Sequence, residues 1–235
     1  MNIYPQTADL RLEYKRFLKE RKDLRGDEEK WLLLLDSKQI QDRICEIATY
    51  LDKKFEGTDI VVVGILKGAA WFMVDITRQL TIPYSTYFLK ASSYENEQTQ
   101  SSEVKIESKI EKSKFEGRTV ILLDELFDNG KTLHSVKKSL EDLGIIDIYT
   151  CTFFVKDRPI ESPCLFPLPN LYGYLIPNIW VNGYGLDDKQ EKRGWPILCA
   201  CPKSDIAPKT IDDEIFDSEE KYQAVIDRVH ASRPF

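Results

Sequence analysis

The chain has 235 residues, 42% of them hydrophobic, which is enough for one sizeable core or one domain with a small appendage. Its net charge is −6, from 39 acids against 33 bases, so general attraction to nucleic-acid phosphates is not expected. Two histidines and an odd five cysteines argue against a histidine-rich metal centre and against a disulfide scaffold.

Residues 8–29 are highly charged, with Leu10, Tyr14, Phe17 and Leu18 at roughly helical spacing. The segment 37–55 repeats that pattern with Ile40, Ile44, Ile47, Ala48 and Leu51. The β-branched run Ile60 to Leu66, stopped by Lys67-Gly68, reads as a buried strand, followed by a helix from Ala69 to Leu80. Tyr84 to Lys90 reads as another strand. Residues 91–103 are polar and almost free of aliphatics, so they are expected to form a long loop; such loops are often lids, though a plain solvated connection is equally compatible with the composition.

Val104 to Ile110 alternates like a strand, and Thr119 to Leu123 is a second buried one. A helix from Thr132 to Leu143 and a strand from Tyr149 to Val155 come next. Residues 159–170 carry four prolines and read as irregular. Ile179 to Val181 is short and β-like, before a turn at Asn182 to Gly185. Strands alternating with helices predict an α/β fold with a mostly parallel sheet flanked by helices. One domain over 1–235 is expected, with a core at about 35–200. An N-terminal helical segment over 1–34 and an acidic tail over about 203–235, helical at 218–229, complete it.

The first nine residues lack the basic and apolar regions of a secretory signal, and no apolar stretch is long enough to span a membrane. A cytoplasmic location without membrane or nucleic-acid partners is expected. Cys199 and Cys201 are one residue apart, which is not the usual zinc spacing, so reduced thiols in a strand are expected there.

The most informative stretch runs from Val120 to Leu133. A strand ends in two carboxylates, Asp124 and Glu125; a turn with Asp128, Asn129 and Gly130 follows, and a helix begins near Lys131-Thr132. Ligands of parallel sheets sit at the carboxyl ends of strands, and a helix N-terminus offers free N–H groups to an anion. The pattern suits a phosphate monoester, while the acid pair suits sugar hydroxyls or a cation. A nucleotide-triphosphate loop needs a glycine where Glu125 stands, and a dinucleotide fingerprint needs a third glycine beyond Gly183 and Gly185, so both readings fail.

Val120 to Leu133 resembles the phosphoribosyl-pyrophosphate motif of type I phosphoribosyltransferases. Three further segments narrow the resemblance to the hypoxanthine-guanine phosphoribosyltransferases. These are Gly64 to Gly68, Ser92-Ser93-Tyr94, and Gly173 to Arg193 with Val181, Gly183, Gly185 and Asp187 inside it. The match runs in order over roughly residues 35–200. It implies that family's fold, a mostly parallel sheet with a small hood subdomain, and a homodimer or homotetramer.

The resemblance also implies roles. Asp128, Asn129, Gly130, Lys131 and Thr132 hold a ribose 5-phosphate. Asp124 and Glu125 face the ribose hydroxyls and Mg2+. Asp128 is the general acid/base at N7 of the purine, and Lys156 recognises the 6-oxo group. Trp180 stacks on the base, and the Val181 backbone meets its other polar edge. Asp187 binds the magnesium that carries pyrophosphate, and Arg193 binds the pyrophosphate. Lys67 and Gly68 belong to the first active-site loop, whose peptide between the matches of Leu66 and Lys67 is often cis. Ser93 and Tyr94 open a catalytic lid.

The implied reaction is purine salvage: the 5-phosphoribosyl group passes from phosphoribosyl pyrophosphate to hypoxanthine or guanine, with xanthine left open. Three residues depart from the family pattern. Asp124-Glu125 reverses the usual order of acids, Asn129 replaces a usual Thr, and Trp180 stands where Phe or Tyr is usual. The Asn129 amide is expected to keep donating to the phosphate. Two other readings stand beside the enzyme: a regulator on the same fold, which the acidic balance disfavours, and a sugar-phosphate or nucleotide kinase, which the failed loop spacing disfavours.

Overall fold

The computed structural model describes residues 32–95, 102–108, 110–157, 166–200 and 219–232. The helix expected over 8–29 lies outside the described residues, as do the centre of the 91–103 segment, most of the proline-rich stretch, Cys164, Cys201 and the start of the tail. The elements are β1 (Leu32–Leu35), α1 (Ser37–Lys54), β2 (Ile60–Leu66), α2 (Ala69–Gln79), β3 (Tyr84–Glu95), β4 (Ser102–Ile106), β5 (Thr119–Phe127), α3 (Lys131–Glu141), β6 (Asp147–Asp157), β7 (Leu171–Pro177), β8 (Val181–Asn182), β9 (Leu198–Ala200) and α4 (Glu219–Ala231).

The main sheet has the order β4-β3-β2-β5-β6-β7. Five of its strands are parallel, and β4 pairs antiparallel with β3. β2 and the Val120 to Leu123 stretch of β5 are apolar, as strands covered on both faces must be. One face carries Ile40, Ile44, Ile47 and Leu51 of α1, Phe72, Met73 and Ile76 of α2, and Val225, Ile226 and Val229 of α4. The other carries Leu133, Val136 and Leu140 of α3 with Phe115. α1 starts at a capping box: the Gln39 N–H donates to Asp36 Oδ1 at 2.8 Å, and the Asp36 N–H donates to Gln39 Oε1 at 2.9 Å. A small second sheet of order β1-β9-β8 supplies the hood implied by the resemblance.

Two readings change. The polar stretch 91–103 is not loop throughout: β3 continues to Glu95 and pairs with β4 from Ala91↔Ile106 to Glu95↔Ser102. Backbone pairing in a two-stranded ribbon needs no apolar side chains, so composition concealed it. Leu32 to Leu34, expected within the helical segment 1–34, form with Leu35 a strand that pairs with β9 across more than 160 residues of chain. Four consecutive leucines cannot distinguish helix from buried strand by period. The helix expected near 218–229 is found as α4, and its Ser232 hydroxyl accepts from the Leu175 N–H of edge strand β7 at 2.9 Å.

From β2 the chain crosses through α2 to β3 on one side; from β5 it crosses through α3 to β6 on the other. The strand order therefore reverses between β2 and β5, and the crevice for a ligand opens at their carboxyl ends. Leu66 to Gly68 and Asp124 to Gly130 lie there.

Candidate active site

β2 ends at Leu66, and the Leu66–Lys67 peptide is cis, as the resemblance implies. Gly68 then caps α2. A Cβ on Gly68 would stand 1.7 Å from Glu125 Oε1, so the Glu125 carboxylate occupies the space this glycine leaves. Gly185 meets the same loop from the other side. Its φ is +95°, and a Cβ there would stand 2.3 Å from the Gly68 carbonyl oxygen and 3.4 Å from Glu125 Cβ. Two glycines thus let three distant segments touch.

Next to them, Arg193 NH2 pairs with Asp187 Oδ1 at 2.5 Å, and Arg193 NH1 donates to the Gly185 carbonyl at 2.7 Å. The other Asp187 oxygen accepts from the Gln190 backbone N–H at 2.8 Å, and the Lys67 ammonium donates to Gln190 Oε1 at 3.0 Å. Gln190 carried no signal in the sequence.

Asp124 is buried, and Glu125 lies half-buried beside it. Burial raises both carboxyls above their ordinary range, and the charge and hydrogen bond of Glu125 raise Asp124 well above it. Arg193 offsets part of the shift at Glu125. When the chain unfolds, these protons dissociate at lower pH than in the fold. Stability of the unliganded protein must then fall as pH rises above the ordinary carboxylate range. Asp124→Asn removes one of these titrations and keeps an acceptor for the Glu125 N–H, which donates to Asp124 Oδ1 at 3.1 Å. Its melting temperature is expected to exceed that of wild type at about pH 8 and to match it at about pH 4. A variant less stable than wild type at the higher pH would contradict the assignment.

Beyond β5, Asp128 and Asn129 lead to Gly130, whose φ of +81° is left-handed; a Cβ there would stand 2.6 Å from the Phe127 ring. Only glycine suits both conditions. α3 begins at Lys131-Thr132, so its N-terminal turn opens at the crevice. The Asn129 side-chain Oδ1 accepts from the Lys131 N–H at 3.0 Å, so this side chain also braces the turn.

From β6, the Lys156 ammonium stands 3.8 Å from Asp128 Oδ2; Lys156 is 12% exposed and Asp128 43%. β6 pairs with β7 as far as Asp157↔Pro177, so the segment leading to Trp180 and Val181 starts beside Lys156. Trp180 is 44% exposed, and Val181 is buried in the small sheet. Ser93 and Tyr94 lie on β3, paired with Val104 and Glu103; their side chains are outside what is described.

The site thus has a helix N-terminus at α3, a lysine–carboxylate pair, an exposed aromatic ring, a largely buried acid pair and an arginine. The chain matches the family model for the phosphoribosyl transferase domain over residues 30–164. It is 30% identical to the hypoxanthine-guanine phosphoribosyltransferase of Lactococcus lactis, over 71% of this chain and 88% of that protein. The chain belongs to the hypoxanthine-guanine branch of the phosphoribosyltransferase family. The hypoxanthine phosphoribosyltransferase of Salmonella typhimurium is 29% identical, over 71% of this chain and 92% of the relative. Among solved structures, the hypoxanthine phosphoribosyltransferase of Staphylococcus aureus superposes with a TM-score of 0.67 at 28% identity, covering 76% of this chain and 94% of that one. The mostly parallel sheet flanked by helices is this phosphoribosyltransferase fold.

Phosphoribosyltransferases of this branch imply a divalent cation. Among the described residues, no group of three or more His, Cys, Asp or Glu could enclose a metal. Magnesium does not need such a cage, because it keeps waters and is held by one or two carboxylates plus substrate phosphates. Asp124, Glu125 and Asp187 supply hard oxygen donors, and Asp187 and Arg193 both act electrostatically on Glu125. The donor set fits that cation.

Proposed function

We propose that this phosphoribosyltransferase performs purine salvage, joining hypoxanthine or guanine to the ribose of phosphoribosyl pyrophosphate and releasing pyrophosphate. The observation that carries this reading is the Lys156–Asp128 pair at 3.8 Å, beside the turn that opens α3. A lysine ammonium has three donors and no acceptor, so Lys156 can bind a 6-oxo group and not a 6-amino group. Asp128, next to it, holds or removes the proton at N7.

The first N–H groups of α3, with Gly130, Lys131, Thr132 and the Asn129 side chain, hold the 5-phosphate. Trp180 stacks on the base, and the Val181 backbone reads its far edge. Asp124 and Glu125 meet the ribose hydroxyls, and Lys67, Gly68 and Arg193 meet the pyrophosphate. Asp124, Glu125 and Asp187 would hold magnesium, which when bound offsets charge on the leaving group. Ser93 and Tyr94, on the ribbon arm, belong to a closing cover that keeps water from the cation-like anomeric carbon.

One phosphoribosyltransferase domain spans 1–235 in this reading, with its core at about 35–200 and segments 1–34 and 203–235 appended. The reading also includes a cytoplasmic enzyme acting as a homodimer or homotetramer. Cys45 and Cys151 are free thiols, which suits a reducing compartment. Val74, Tyr84 and Phe88 are exposed apolar side chains on α2 and β3. A single species of monomer mass in sedimentation would overturn the oligomer.

A spectrophotometric assay with magnesium, phosphoribosyl pyrophosphate and each of hypoxanthine, guanine, xanthine and adenine tests the function. Turnover of 6-oxopurines and not adenine is expected. Tight binding of phosphoribosyl pyrophosphate without turnover of any base would favour a regulator instead.

A further inference from the structure

Gln190 lies at the junction of the two loops assigned above to pyrophosphate. Its backbone N–H donates to Asp187 Oδ2 at 2.8 Å, and its side-chain Nε2 reaches the same oxygen at 3.3 Å. Its Oε1 accepts from the Lys67 ammonium at 3.0 Å. The remaining Asp187 oxygen is on Arg193. One amide therefore couples the loop after β2 to the acid and the arginine of the 187–193 turn.

The backbone of that turn is unusual. Lys189, Gln190 and Lys192 all have left-handed φ, at 52°, 69° and 68°. Non-glycine residues rarely hold this conformation, and three in four positions need surrounding contacts to maintain them. Two contacts supply this: Asp188 pairs with Glu191 through their backbones, and Lys192 pairs with Asp188 at 2.9 Å. The turn is held so that the Gln190 side chain reaches across to Lys67.

We infer that Gln190 is a positioning residue for phosphoribosyl pyrophosphate, holding Lys67 and Asp187 in the spacing that receives the diphosphate. This inference rests on the functional reading above. Gln190 acts through Lys67 and Asp187, so losing its reach weakens the diphosphate substrate and spares the purine.

The test uses Gln190→Asn, which keeps an amide and tolerates a left-handed backbone but is one methylene too short for Lys67. Gln190→Glu keeps the length and the acceptor. For the Asn variant, KM for phosphoribosyl pyrophosphate is expected to rise about 3- to 10-fold, more than kcat falls, with KM for hypoxanthine unchanged. Calorimetric affinity for magnesium phosphoribosyl pyrophosphate should fall in parallel, and the Glu variant should recover most of both. In a Lys67→Met background, Gln190→Asn should have no further effect, because the shared interaction is already gone.

Equal losses for both substrates, additive effects with Lys67→Met, or an Asn variant indistinguishable from wild type would overturn the tether while wild type still turns over. A wild type that neither binds nor uses phosphoribosyl pyrophosphate would overturn the functional reading and the tether together.

Discussion

Asp128→Asn is expected to lower kcat by about 10²-fold or more, with little change in affinity for phosphoribosyl pyrophosphate. A positioned acid or base contributes about 10²–10⁴-fold to a proton-transfer step. Asn matches Asp in shape and cannot exchange the purine N7 proton at neutral pH. Asp128 is 43% exposed, so its replacement leaves no buried charge stranded. The Lys156 ammonium, 3.8 Å away, loses its negative neighbour, and a modest rise in KM for hypoxanthine is expected as well. Steady-state kinetics with direct titration of phosphoribosyl pyrophosphate separates the two effects. A kcat within about twofold of wild type would remove Asp128 from the chemistry and leave it a positioning role at most.

Gly185→Ala is expected to damage both activity and stability. The φ of +95° already disfavours any residue with a Cβ, and the added carbon would stand 2.3 Å from a backbone oxygen, that of Gly68. Backbone cannot rotate aside as a side-chain tip can. Either the turn carrying Asp187 and Arg193 or the loop carrying Lys67 must move, by roughly an ångström. A displacement of that size between reacting partners costs about 10²-fold in rate.

Gly57→Ala is the control. Gly57 has a similar φ of +73°, but nothing lies within 4 Å of a Cβ there. That variant should lose about 1–2 kcal/mol of stability from the strained backbone and keep its kcat. If both alanine variants lower activity alike, or neither does, the close approach of the two loops is not what the site needs.

Much of this molecule is written in local stretches. The α1 segment carries its cap residues Asp36 and Gln39 and its apolar stripe within 18 residues, and β2 and the start of β5 announce themselves as unbroken apolar runs. The candidate phosphate site is equally local. Asp128, Asn129, Gly130 and the first turn of α3 are contiguous, and the N–H groups that would hold a phosphate follow from a helix starting there. That is why the motif could be found by reading along the chain.

Other features depend on residues that meet only in the fold. Lys156 comes within 3.8 Å of Asp128 because β5 and β6 are paired in parallel, a register no local pattern encodes. Glu125 ends among Gly68, Gly185 and Arg193, whose meeting depends on where the order of strands reverses. The ribbon of β3 and β4 was hidden because backbone pairing leaves little trace in polar sequence. Gln190 was invisible for the same kind of reason: an ordinary polar residue acquires its partners only when Lys67, 123 positions earlier, is brought to it. Amphipathic period, caps and turn residues act over a few neighbours and can be read from the chain. Which carboxylate keeps a proton and which lysine finds an acceptor depend on burial and distance, and tertiary packing alone sets those.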